Sequence, residues 1–130
     1  MPFPVDAKYV DESEAKLAVK LPADYREAIS KSNGGEFSTE EDDWELYKIR
    51  DSSDPKRVSR SMNDIVSNTL ACRQWKGFPE NAIAIASNGC GDQLVFIAQN
   101  GICESTVYIW YHESGQIDIF CKNFIELSKI

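Results

Sequence analysis

His112 is the only histidine in the chain, so any acid–base or nucleophilic chemistry that uses an imidazole has to be built around it. It lies in "WYHESG", which reads as a hairpin tip. A catalytic base needs an orienting partner and a sheltered nucleophile. The neighbour by sequence, Glu113, would point to the opposite face of an extended chain, so a turn histidine is expected rather than a catalytic one. The 21 acidic residues leave glycosidase-type carboxylate pairs open, but nothing selects a pair. Cys72, Cys90, Cys103 and Cys121 include no Cys-x-x-Cys spacing, a poor pattern for zinc. They are expected to be structural free thiols, with no metal and no cofactor.

"SNGCGD", residues 87–92, could in principle cradle a phosphate. Such loops use aligned N–H groups, a following helix and usually a nearby cation. Here no helix pattern follows, the loop ends in Asp92, and no lysine or arginine occurs from Gly77 to Cys121. A hairpin corner is expected instead. Asn88 and Gly89 supply positive φ, Gly91 a bulge, and Asp92 an acceptor for exposed N–H groups of the turn.

The elements that would position these residues follow from periodicity. "SEAKLAV" (13–19) reads as a short helix behind Asp11 and Glu12. A clearer helix runs from about Pro22 to Ser32, carrying Tyr25, Ala28 and Ile29 on one face and ended by Asn33, Gly34 and Gly35. Residues 61–75 place Met62, Ile65, Val66, Thr69, Leu70 and Arg73 at helical spacing, with Gly77 and Pro79 as the stop. The period then changes to two. "NAIAIA", "QLVFIA", "TVYIWY" and "IDIFC" read as four strands joined by three hairpins, an antiparallel meander. Asn123 caps a terminal helix through Phe124 and Leu127.

Between the helical segments, residues 36–45 hold Glu36, Glu40, Glu41, Asp42, Asp43 and Glu45 and no cation, whereas 48–60 hold Lys48, Arg50, Lys56, Arg57 and Arg60. The acidic run reads as a solvated loop, with a strand from Trp44 to Ile49 behind it. Its sharper reading is a partner-contacting surface of Glu40, Glu41, Asp42, Asp43 and Glu45 around Trp44 as an aromatic anchor. If Trp44 packs inward, its loss unfolds the protein instead. Tyr108, Trp110 and Phe120 are expected to form an aromatic row on one strand face, either core or a ligand surface.

With 130 residues, 42% apolar and 27% charged, the chain fits one domain over 1–130. No apolar run is long enough for a membrane span, and the start lacks the regions of a secretory signal, so a soluble cytoplasmic protein is expected. A net charge of −7 argues against direct nucleic-acid binding.

Three blocks, "LPADYREAISKSNGGEF", "AIAIASNGCGDQLVF" and "VYIWYHESGQIDIFCKNFIEL", resemble in order those of the SUKH superfamily, which includes the yeast cell-wall-synthesis regulator and bacterial immunity proteins encoded beside toxins. The positions carrying the resemblance are Leu21, Pro22, Tyr25, Asn33, Gly34, Gly35, Gly91, Asp92, Trp110, His112, Glu113 and Phe124. The resemblance implies an α+β fold, a bent antiparallel sheet with helices packed against it. It also implies a non-enzymatic protein-binding role without a cofactor. The absence of long flanks fits a bacterial single-domain immunity protein whose partner is a basic toxin domain, often a nuclease. A module binding a small ligand or peptide is the alternative. The sequence leaves the oligomeric state open.

Overall fold

Asp6 starts the first helix in the computed structural model, which describes residues 3–127. Its carboxylate accepts from the Lys8 N–H, and α1 runs Ala7–Leu17 until Ala18 turns left-handed at φ 57°. The helix expected at 13–19 is therefore the second half of a longer one. Asp11 and Glu12, read as its start, lie mid-helix, because the side chain that satisfies the open N–H groups sits earlier. Asp11 and Glu14 instead meet Arg26 of the second helix. That helix, α2, spans Ala23–Lys31 with Pro22 at its cap, within a residue of the expected bounds.

Asn33 follows α2 and is buried. Its amide donates to the Ile49 carbonyl at 2.8 Å and its oxygen accepts from the Ile49 N–H at 2.7 Å, so one side chain stands in for a strand partner. The chain turns through Gly34 and Gly35 into β1 (Gly35–Ser38), which pairs antiparallel with β2 (Asp43–Leu46) and sets Phe37 opposite Trp44. The solvated-loop reading of 36–45 is corrected here to a hairpin. Its first strand shows one apolar residue between two polar ones, too short a repeat to register. The tip is held by Thr39, whose hydroxyl accepts from the N–H groups of Glu41 and Asp42.

The basic stretch that follows also contains a helix, α3 (Pro55–Arg60), capped by Asp54 with Pro55 in the first turn. The next, α4, is shorter than expected, Ile65–Cys72, because the Asp64 carboxylate takes the Ser67 N–H and begins the helix there. Met62 is left outside it and 62% exposed, and Leu70 is exposed too. The buried face is Ile65, Thr69 and Cys72. Thr69 fixes that face by accepting from the Ala84 N–H at 2.9 Å.

The meander is as expected: β3 (Ala82–Ser87), β4 (Gln93–Gln99), β6 (Val107–Trp110) and β7 (Ile117–Cys121), with a two-residue β5 (Ile102–Cys103) also on β4. The hairpin joins it through β2 beside β3, giving the order β1-β2-β3-β4-β6-β7. The Asn–Gly pair with two positive φ angles is Asn100–Gly101, between β4 and β5; in the 88–92 loop Gly89 has positive φ and Asn88 does not. A last helix, α5 (Phe124–Leu127), is capped by Asn123, which accepts from the Glu126 N–H. The rest of the expected terminal helix, 128–130, lies outside the described residues.

Two contacts define how the layers meet. Tyr25 of α2 is fully buried and sits edge-on to Phe96 of β4 and Phe124 of α5, with centroids 5.3 and 4.9 Å away. Beside it, Asp24 accepts from the Phe124 N–H, and Leu21 is buried just before the helix. At the other end of the sheet, Trp44 of β2 reaches Phe120 of β7 at 5.8 Å although β3, β4 and β6 lie between their strands. The sheet is bent until its two flanks touch. The fold is α+β.

Candidate partner-binding face

Asp92 ends the glycine loop and organises two turns. Its Oδ1 accepts from the His112 backbone N–H at 3.1 Å and meets the ring Nδ1 at 2.7 Å, while Oδ2 accepts from the Asn88 amide. Burial alone would raise its pKa. The hydrogen bonds from His112 and Asn88 and the His112 charge outweigh that and hold the carboxyl below its ordinary value. The orienting carboxylate for His112 is thus Asp92, which sequence adjacency to the exposed Glu113 did not reveal. Among the described residues no hydroxyl or thiol hydrogen-bonds the ring. A Cβ on Gly91 would lie 3.0 Å from the imidazole, so the glycine lets the ring sit flat against the loop backbone. The arrangement clasps the β3–β4 turn to the β6–β7 turn.

Trp44 is 2% exposed, stacked on Phe37 and edge-on to Phe120. Its role as an exposed anchor is corrected: the ring points into the bend, since every second residue of a strand shares a face and its neighbours Asp43 and Glu45 take the outside. Glu40, Glu41 and Asp43 are exposed at and beside the hairpin tip, and Asp42 is half-buried there. Among the described residues none of these four forms an ion pair; Glu45 accepts from Asn63.

The bend brings this tip to the far end of the sheet. Tyr111, just after β6, has its phenol raised first by partial burial and then by the charges of Asp118, Glu41 and Asp92. One tyrosine thus feels acids from the hairpin, the glycine loop and β7. Glu41 of the acidic run is thus brought near Asp92 and Asp118 of the segment 77–121, and Phe37, Trp44 and Phe120 pack on one another across the bend. Asp118, Tyr111 and Phe120 were missed as members of this face. The period-two pattern of "IDIFC" already set Asp118 and Phe120 on a common side.

The aromatic row divides. Trp110 faces Ile117 across the β6–β7 pair and Tyr108 faces Ile119, whereas Phe120 falls at a register shift in that pair and turns to Trp44 instead. Trp110 is buried between Trp75 and Phe78, and its indole donates to the Gly77 carbonyl at 3.1 Å. It is core.

A cleft of about 790 Å³ opens elsewhere, lined by Phe3, Glu36, Glu45, Lys48, Arg57 and Arg60 among others. The Arg60 and Arg57 guanidinium groups lie 4.4 and 5.5 Å from the Phe3 ring. Arg57 also donates to buried Asp51 at 3.0 Å. Burial works against the Asp51 charge, but hydrogen bonds from Ser53 and Arg57 and the Arg57 charge bring its pKa below the ordinary value. All four cysteines are free thiols. Burial raises Cys72 and Cys121 to about 11 and Cys103 to about 12, and Cys90 is exposed. Among the described residues no group of three or more His, Cys, Asp or Glu side chains is placed to hold a metal ion. Nor, among them, is any helix long and apolar enough to cross a membrane.

The profile of the SMI1 / KNR4 family (SUKH-1) matches residues 4–129. The chain belongs to that family. No curated protein matches it. In this SUKH-1 chain each block of the resemblance has a packing role: Asp24 and Tyr25 tie α2 to α5, Asn33 clamps Ile49, and Gly91 with Asp92 seats His112.

Proposed function

We propose that this SUKH-1 chain is a non-enzymatic binding domain, a single unit over 1–130, that neutralises a basic toxin domain by direct contact through its acidic face. The observation that carries the reading is the convergence of Glu41, from the hairpin tip that also holds Glu40, Asp42 and Asp43, with Asp118 and Asp92 on Tyr111 at the closed end of the bent sheet. Family membership supports an immunity or regulatory role. The charge of −7 suits a cationic partner, because complementary fields steer encounter and raise association rates. Carboxylates without ion partners keep their charge available for that purpose. No cofactor enters the reading, and the cytoplasm is its expected site.

The test is binding kinetics against the toxin-like domain encoded by the neighbouring gene, at two salt concentrations. Replacing Glu40, Glu41, Asp42 and Asp43 together by their amides is expected to slow association about tenfold and to flatten its salt dependence, with an unchanged melting temperature. Salt-independent association by the parent protein would move the contact surface elsewhere. A second reading, a small anionic or peptide ligand in the cleft, is favoured by its volume and by the Arg57–Phe3–Arg60 stack. It requires Arg60→Ala, and not the hairpin amides, to abolish binding.

A further inference from the structure

The two edges of the sheet are built differently. At one edge β1 has four residues, turns Glu36 and Ser38 outward, and runs into the acidic hairpin tip. Short, charged edges of this kind resist pairing with other chains. At the other edge β7 has five residues, pairs among the described residues only with β6, with a register shift at Phe120 beyond its exposed first three residues, and contains neither proline nor lysine. Its first three residues are exposed, with Ile119 at 70% and Ile117 at 37%. Because Ile117 and Ile119 face Trp110 and Tyr108, they continue a strip that includes Trp75, itself 42% exposed and stacked on Trp110. Between the two isoleucines, Asp118 points to the opposite face, and its charge acts with those of Glu41 and Asp92 on Tyr111. An edge strand also directs half of its N–H and C=O groups away from its partner strand.

We propose that β7 is a strand-addition site, which takes up an extended segment of a basic protein partner as the next strand of the sheet. This rests on the acidic-face reading and states how the partner would be held. The occupant's chemistry follows from the edge. Backbone groups pair with β7, alternate apolar side chains cover Ile117 and Ile119, and lysine or arginine between them faces Asp118. No lysine or arginine occurs from Gly77 to Cys121 to oppose such a segment, although Lys76 and Lys122 flank it. A second copy of this chain is disfavoured as occupant, because two bodies of charge −7 would meet along like-charged edges.

The probe is a short synthetic peptide of alternating lysine and valine. It is compared with the same peptide N-methylated at alternate amides, and read by amide hydrogen exchange and by titration at low salt. The parent peptide is expected to slow exchange within 117–121 saturably, and the methylated one to lose that effect. Ile119→Lys is expected to weaken binding by about tenfold or more, while Met62→Lys, an equal charge change at an exposed site outside β7, leaves it within about twofold. Absent protection, protection elsewhere, or equal binding of the methylated peptide would overturn the proposal. So would a parent protein that sediments as a dimer split by Ile119→Lys, since the occupant would then be a second copy. If Ile119→Lys leaves dissociation of the toxin-like domain unchanged while the hairpin amides slow its association, strand addition fails and the acidic-face reading stands.

Discussion

At the scale of single residues, the motif positions act through close approach and through backbone groups that would otherwise be unpaired. Gly91 combines a φ of 108° with the His112 ring 3.0 Å from where a Cβ would stand. Gly91→Ala is expected to cost roughly 1–3 kcal/mol, read from denaturation midpoints. In a His112→Ala background the cost should fall, because the clash disappears and only the backbone strain remains; an equal cost in both backgrounds would assign the whole effect to φ. Asn33 satisfies both backbone groups of buried Ile49. Asn33→Ala should therefore cost roughly 2–3 kcal/mol, more than an exposed amide of the same kind. The glycines and Asn33 were legible in the sequence as turn residues. That Asn33 reaches the backbone of Ile49, sixteen residues on and past the end of β2, and that Gly91 serves an imidazole, were not, because both partners arrive through the tertiary fold.

At the scale of elements, the β1–β2 hairpin separates two roles that the sequence had merged in one acidic stretch. The tip carries charge to the surface, and Trp44 closes the bend. Trp44→Ala is expected to destabilise the protein by about 3–5 kcal/mol, seen as a large drop in the thermal midpoint. Trp44→Phe should cost much less, since the buried indole N–H has no hydrogen-bond partner among the described residues and only its bulk is lost. A Trp44→Ala variant that melts like the parent would put the ring back on the surface. The long strands were readable because several period-two repeats accumulate along them. β1 and α3 were not, because a four-residue strand and a six-residue helix hold barely one repeat each. The Asp54–Pro55 pair was nevertheless an available start signal for α3.

At the scale of the whole molecule, two depressed carboxyls couple folding to pH. Asp51 and Asp92 both lie below the ordinary aspartate value of 3.8 in the folded state. Between the folded and unfolded pKa values the unfolded chain binds more protons, so stability falls as pH drops through that window and is fully present above it. Urea midpoints measured from about pH 5 down to about pH 1 should decline, with a shallower decline in Asp51→Asn, where one of the two groups no longer titrates. Parallel profiles for parent and variant would show that the Asp51 pair with Arg57 is not linked to folding.

The sequence by itself determined the α+β class, the meander and its order, the helix before Asn33–Gly34–Gly35, and the family. Each of these is written in local periodicity, in turn chemistry, or in motifs that repeat without reference to distant residues. The tertiary structure alone decided which way Trp44 points, which face takes Phe120, that Asp92 rather than Glu113 orients His112, and that Glu41, Asp92 and Asp118 meet at Tyr111. Those outcomes depend on how far the sheet bends. Bending sums small twists over six paired strands, and it brings β2 against β7 by a path that no single stretch of the chain encodes.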